Sequence, residues 1–341
     1  MIEIDKLIRT NIRNLQPYSS ARQENAGLLG TYMDANENPF GKFNRYPDPN
    51  QWKLKSDVSR IKGVPTANIF IGNGSDEIID LCFRLFCEPG KDRALTVVPT
   101  YGMYKVSAAI NDIEMIEAPL NADFQMDTDA LKEQLKLPNL KLVFICSPNN
   151  PTGNRIENIE LILNSFNGIV VIDEAYIDFS GAESYSKNLQ RHPNLIVIQT
   201  LSKAWGKAAV RIGMAFTSVQ IITYLNTIKP PYNVSTPNQI EARNVLQKSA
   251  VFQKQLKAII GQRQLLIDKL KKIALVLKVY PSEANFVLIQ VANPDRVFEM
   301  LAQEKIIIRN RSKEIPGCLR ITVGTPEEND RLLNTLNQIN L

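Results

Sequence analysis

From about residue 65 the apolar positions gather into short runs rich in β-branched residues, at 94–98, 140–146, 169–172, 195–199 and 212–216. Segments with helical spacing lie between these runs. One predicted helix starts at Ser75, with Asp76 and Glu77 in its first turn, where acidic groups complement the helix dipole. Ile78, Ile79, Cys82, Leu85 and Phe86 then form one apolar stripe, and the pattern stops before Pro89-Gly90. Strands alternating with helices predict βαβ units. The expected fold class is α/β, with a largely parallel central sheet and helices on both faces.

The pattern changes after Pro230-Pro231. Residues 238–275 contain almost no Gly or Pro and read as long helices connecting to a second unit. Beyond Pro281, strand-like runs at 285–290, 306–309 and 319–323 alternate with helical stretches, which predicts a smaller α+β domain. Residues 1–35 read as an arm, with a short amphipathic start followed by Pro17-Tyr18 and a polar stretch. The expected division is therefore an arm over 1–35, a large domain over 36–240, and a connecting helix with a small domain over 241–341.

Composition narrows the chemistry. A chain of 341 residues favours two domains, and 44% hydrophobic with 22% charged residues is an ordinary globular balance. No apolar run approaches the roughly 18–20 residues that span a bilayer. The first ten residues carry Glu3, Asp5, Lys6 and Arg9 without an apolar stretch, so a cytoplasmic protein is expected. A net charge of +5 spread along the chain suits small anions but forms no tract for nucleic acid. Cys82, Cys87, Cys146 and Cys318 lack metal-ligand spacing, and free buried thiols are expected. The one histidine is His192, which excludes multi-histidine metal sites and Ser-His-Asp hydrolysis. Any general base is a Lys, a Tyr or a carboxylate.

Ligands of parallel α/β sheets bind at strand ends, and four such ends here carry unusual residues. The run at 195–199 leads into Thr200-Leu201-Ser202-Lys203-Ala204-Trp205-Gly206, with Arg211 and Gly213 beyond. A lysine there is a candidate Schiff-base amine, and Ser202 and Arg211 suit a phosphate. Taken alone, Lys203 reads better as a surface-loop lysine. The run at 169–172 ends in Asp173-Glu174-Ala175-Tyr176. An acid after four apolar residues either meets a buried cation or caps the next segment. The run at 140–146 ends in Ser147-Pro148-Asn149-Asn150-Pro151-Thr152-Gly153, a rigid turn. Finally, Ile71-Gly72-Asn73-Gly74-Ser75-Asp76 sets a glycine loop at a helix N-terminus, where backbone N–H groups bind phosphate. Asp76 and Glu77 oppose a phosphate on charge, so only the backbone is expected to bind it there.

The order is glycine loop, Pro99-Thr100-Tyr101, Asn-Pro-Thr-Gly, Asp-x-x-Tyr, Ser-Lys, then an Arg eight residues after the Lys. In combination it resembles the fold-type I pyridoxal-phosphate (PLP) aminotransferases of the class I/II group. Further segments are more specific. They include Leu15-Gln16-Pro17-Tyr18-Ser19-Ser20-Ala21-Arg22, Asp34-Ala35-Asn36-Glu37-Asn38-Pro39, Asn44-Arg45-Tyr46-Pro47-Asp48 and Cys318-Leu319-Arg320-Ile321-Thr322-Val323-Gly324-Thr325. With these, nearly the whole chain resembles the histidinol-phosphate aminotransferase family.

That resemblance implies residue roles. Lys203 would hold PLP as a Schiff base and later shuttle the proton between substrate and cofactor. Asp173 would pair with the pyridinium, Asn150 and Tyr176 would bond the O3 oxygen, and Tyr101 would stack on the ring. Ser202, Arg211 and the backbone of Gly74, Ser75 and Asp76 would hold the cofactor phosphate, with Tyr46 reaching it from the other subunit of a homodimer. Arg320 would meet the anionic end of the substrate, and Tyr18, Asn36 and Arg309 would be further substrate contacts. No metal is implied. The implied reaction moves an amino group between L-glutamate and imidazole acetol phosphate, giving histidinol phosphate and 2-oxoglutarate. Lys207 departs from the aliphatic residue usual in relatives. Aromatic or broad-specificity aminotransferases and threonine-phosphate decarboxylases share the same lysine chemistry and are the nearest alternatives. A dinucleotide-binding dehydrogenase is excluded, because Gly72-Asn73-Gly74 is followed by Ser75-Asp76-Glu77 and not by the rest of a Gly-x-Gly-x-x-Gly fingerprint.

Overall fold

Each continuous apolar run of the sequence splits by parity once folded. Leu142 and Phe144, Ile169 and Val171, and Ile196 and Ile198 pack into one core. Their neighbours Val143 and Ile145, Val170 and Ile172, and Leu195 and Val197 pack into another. Two cores on opposite faces explain why these strands show no polar alternation: there is no solvent face.

The computed structural model describes residues 2–18, 24 and 30–339. The main sheet has seven strands: β1 (Ile69–Asn73), β2 (Arg93–Val98), β3 (Glu114–Pro119), β4 (Leu140–Cys146), β5 (Ile169–Asp173), β6 (Leu195–Thr200) and β7 (Ile212–Thr217). Their order is β1-β7-β6-β5-β4-β2-β3. The pairs among β3, β2, β4, β5 and β6 are parallel. Strand β7 runs antiparallel to β6 and to β1, because residues 201–211 form a short return and not a helical crossover. That return carries Lys203. The apolar runs did not announce β1 and β3. Both are sheet edges; Gly72 interrupts β1, and β3 keeps exposed Glu114 and Glu117.

The predicted helix occupies Ser75–Phe86, and Ile78, Ile79, Cys82, Leu85 and Phe86 are all buried. All four cysteines are free and buried, as small hydrophobes. The helical stretch after Pro231 resolves into Thr236–Leu246 and Ser249–Leu270. The second of these is amphipathic in two registers. Phe252 and Leu256 enter one core of the main sheet, while Leu266, Ile267 and Leu270 enter the core of a second sheet.

The second sheet is antiparallel, with order β10-β11-β9-β8 built from β8 (Val276–Val279), β9 (Phe286–Val291), β10 (Arg309–Asn310) and β11 (Cys318–Thr322). The strand expected at 306–309 shrinks to Arg309–Asn310, since Ile306 and Ile308 pack on the small core without ladder pairing. At the other end of the chain, Ile4–Leu7 and Thr10–Arg13 are short helices that bury Ile4, Ile8 and Ile12 in the main core. Of the arm motif, Ser19, Ser20, Ala21 and Arg22 lie outside the described residues.

Candidate active site

The strand ends converge on a cavity of about 250 Å³. The end of β5 supplies Asp173 and, just beyond it, Tyr176; the turn after β4 supplies Asn150; the return after β6 supplies Ser202, Lys203 and Arg211. Ser75 and Asp76 come from the helix start after β1, Tyr101 follows β2, and Arg320 reaches in from β11 of the small sheet. Residues from both sheets therefore face one space.

Asp173 is 3% exposed. Its Oδ2 accepts a hydrogen bond from the Tyr104 hydroxyl at 2.8 Å, and its Oδ1 accepts from the Ala175 amide at 3.0 Å. Burial raises the affinity of this carboxyl for a proton, opposed by those two hydrogen bonds and by the charge of Lys203. Among the described residues it has no ion-pair partner. A buried acid held by donors on both oxygens and facing a cavity is a site for a cationic ligand group.

Lys203 has its pKa lowered, first by burial and then by the positive charge of Arg320, with Asp173 and Asp76 opposing. Its Nζ lies 5.8 Å from the centroid of the Tyr176 ring and has no hydrogen-bond partner among the described residues. An amine so placed is a nucleophile and a base. Tyr176 is buried against Phe286 in an edge contact at 5.2 Å, and burial raises its pKa, so its hydroxyl is a lasting donor. The Arg320 guanidinium donates to Oδ1 of Asn150, which leaves the Asn150 Nδ2 group available toward the cavity. Arg320 also lies over the Phe286 ring at 5.1 Å.

The anion cradle depends on close backbone approach. Gly74 has φ +80°, and a Cβ there would stand 2.4 Å from Nη2 of Arg211. A Cβ on Gly213 would meet the Gly74 carbonyl carbon at 2.4 Å. The Gly74 amide donates to the Arg211 carbonyl at 2.8 Å, which ties the glycine loop to the return. Both acids that oppose a phosphate on charge are held by hydrogen bonds, and Asp76 also meets a cation. Asp76 accepts from the Tyr101 hydroxyl at 3.0 Å and from Arg211 at 3.3 Å. Glu77 accepts from the Asn73 amide and from Asn233 at 2.8 Å. The helix N-terminus, Ser202 and Arg211 thus line one cavity, with amide, hydroxyl and guanidinium donors suited to an anion.

Pyridoxal phosphate fits this donor set. Asp173 suits a protonated ring nitrogen, Tyr176 and Asn150 suit a ring oxygen, Tyr101 suits a flat ring, and the cradle suits a phosphate. The lysine amine suits an aldehyde.

Several residues singled out from the sequence do not line the cavity in the single chain. Tyr18 is 69% exposed. Asn36 and Tyr46 line a separate surface cavity of about 430 Å³ with Glu37 and Ser235, and Tyr46 stacks on Tyr232 at 4.4 Å. Arg309 is exposed, although it pairs directly with Arg320 across the β10–β11 ladder. Lys207 turns to Glu241, at 2.6 Å, and does not line the cavity. Sequence reasoning missed Tyr104 and Thr200. Tyr104 lies in the first turn of the helix Met103–Ile110, and Tyr101, just before that helix, meets its ring edge-on at 5.6 Å. Thr200 closes β6, and its Oγ1 accepts from the Ser202 amide at 3.1 Å.

The model of the aminotransferase class I and II family matches residues 17–336. The chain is 49% identical to the histidinol-phosphate aminotransferase of Parabacteroides distasonis over 346 residues, which covers 100% of each. It is 48% identical to that of Cytophaga hutchinsonii over 342 residues, 98% of each chain. Among solved structures, the histidinol-phosphate aminotransferase of Sinorhizobium meliloti in complex with pyridoxal-5'-phosphate superimposes with a TM-score of 0.79 at 23% identity, covering 86% of this chain and 82% of that one.

Proposed function

The chain belongs to the class I and II aminotransferases, and from that premise we propose that it is a PLP-dependent enzyme moving an amino group between L-glutamate and imidazole acetol phosphate, with histidinol phosphate and 2-oxoglutarate as products. One observation carries the chemistry: an unpartnered lysine amine and a buried, donor-held carboxylate face the same cavity as an anion cradle. The near full-length identity to the Parabacteroides and Cytophaga enzymes carries the substrate.

Bound PLP supplies an electron sink that acidifies the substrate α C–H. The residues of this chain do the rest. Lys203 holds the cofactor and, once released, takes the α-proton and returns it at the cofactor C4′ carbon. Asp173 keeps the proton on the ring nitrogen. Tyr176 and Asn150 hold the ring oxygen, and Tyr101 covers the ring face. Ser202, Arg211 and the amides after Gly74 hold the cofactor phosphate. Arg320 binds the anionic end of either substrate, since a planar guanidinium accepts carboxylate and phosphate alike, with Arg309 beside it on the ladder. Tyr18 and Asn36 belong to the substrate's surroundings once the arm is in place.

The proposal extends to a homodimer in which Tyr46 completes the cradle of the other subunit, to the division at 36–240 and 241–341, and to a cytoplasmic setting. Support for the dimer is exposed apolar surface in this segment: Phe43 and Tyr46 line the cavity that holds Asn36, and Phe40 and Trp52 are exposed as well. Among the described residues no helix is long and apolar enough to cross a membrane.

Parallel assays decide the substrate. Histidinol phosphate with 2-oxoglutarate is expected to turn over far faster than phenylalanine. No transamination of histidinol phosphate, or release of carbon dioxide from threonine phosphate as the dominant activity, would overturn the reading.

A further inference from the structure

Tyr104 is fully buried, and its ring is held on two sides: it stacks on Phe144 at 5.0 Å and meets Tyr101 edge-on at 5.6 Å. That packing leaves its hydroxyl one strong partner, Oδ2 of Asp173 at 2.8 Å. The second oxygen of Asp173 is held from the other side by the Ala175 amide. The carboxylate plane is thus fixed by one group from the helix after β2 and one from the turn after β5. Burial of Tyr104, with Asp173 and Cys146 beside it, raises its pKa, so the phenol keeps its proton and donates it to Asp173. Around the same carboxylate, Lys203 attracts and Asp76 repels negative charge, and both lie at the cavity wall, where a bound ligand alters their surroundings. The Tyr104 contact lies behind the carboxylate, away from that variation.

From this geometry we infer that Tyr104 is a positioning residue for the reaction: its hydroxyl stabilises Asp173 as a carboxylate aimed at the ring nitrogen, so that the shared proton resides on the nitrogen and not on the acid. The inference rests on the PLP reading of the cavity and deepens it. A hydrogen bond to a charged acceptor is among the stronger kinds, and a low-dielectric setting increases its effect. Removing it makes the carboxylate more basic, draws the proton toward Oδ2 and weakens the electron sink. A core tyrosine with a packing role alone would move stability and nothing at the ring.

The test uses holoenzyme loaded with cofactor labelled with 15N in the ring. In Tyr104→Phe, which keeps the ring and its packing, the 15N resonance is expected to move from the protonated toward the neutral position. The cofactor dissociation constant is expected to rise about ten-fold. Site-specific 3-fluorotyrosine at position 104 is a stronger donor of nearly the same shape, and it is expected to move the resonance the opposite way. If the Phe protein does not fold, the fluorotyrosine arm decides alone. An unchanged 15N shift in loaded variants, with or without a lower Tm, overturns the inference while leaving the proposed function standing. Failure of the wild-type protein to load PLP on Lys203 would overturn the proposed function, and this inference with it.

Discussion

Two regions of the molecule hold residues with related expected roles but differ in every physical respect. Around Lys203, groups from both sheets converge on one enclosed space, and Asp173, Tyr104 and Tyr176 are buried there. Around Asn36 and Tyr46, the surface is open and apolar, with Met33 90% and Phe40 81% exposed. Most of the interior site is assembled within a single chain: Asp173 and Asp76 have their donors, and the glycine loop fits closely against Arg211. The outer region buries little of its apolar surface, the mark of a face that another surface covers. Chemistry is built where strands end, while the outer surface is where, in our proposal, a second subunit adds a residue to the cradle.

The sharpest way to break this contrast is to remove Lys203. Lys203→Ala is expected to lower transamination by about four orders of magnitude, with a far-UV spectrum like that of wild type. At limiting cofactor, mixing that protein with Tyr46→Ala should raise activity above that of the Tyr46→Ala dimer alone, because a hybrid dimer contains one site with both residues. No rise on mixing would place Tyr46 outside any shared site.

Glu174 gives the next largest effect. It is 1% exposed and accepts from Ser184, the Tyr185 amide and Gln199. Burial nevertheless raises its pKa from 4.5 to about 7. A raised acid pKa means the fold prefers the protonated form. Its contribution is whole below about pH 4.5 and is lost as pH rises through about 7. Urea unfolding of wild type against Glu174→Gln should show the difference in stability changing by about 3 kcal/mol across that window. A constant difference would contradict it.

Gly74→Ala is expected to cost about 2 kcal/mol in stability and to weaken cofactor retention, since a side chain at φ +80° also meets Arg211. Urea unfolding and cofactor titration check both effects. Tyr46→Phe, on the outer region, is expected to do least: about a ten-fold weaker cofactor affinity, with unfolding unchanged.

Much of this arrangement is legible in the sequence, and the reasons are local. The helix at Ser75, the acid that ends β5 and the lysine after β6 announce themselves because buried strands read as unbroken apolar runs and the polar residues that close them stand out. Edge strands β1 and β3 were silent because one side of each is unpaired and their composition is mixed. Tyr104 was silent for another reason. Its spacing from Tyr101 is visible, but a tyrosine among apolar residues reads as core, and only the distance to Asp173 gives it a partner. The roles of Asp76 and Glu77 were likewise hidden. Sequence shows two negative charges at a phosphate site, and only the folded chain shows Arg211, Tyr101 and Asn233 meeting them. Asn36 and Tyr46 stand out through motif resemblance alone, and one chain leaves them at the surface.

The central claim is that Lys203 carries the cofactor in the interior site. Borohydride reduction of the purified yellow protein, followed by peptide mapping, tests it directly. A pyridoxyl label is expected on Lys203 and on no other lysine; a label on a different lysine, or no label on a protein that retains the cofactor, would overturn the assignment.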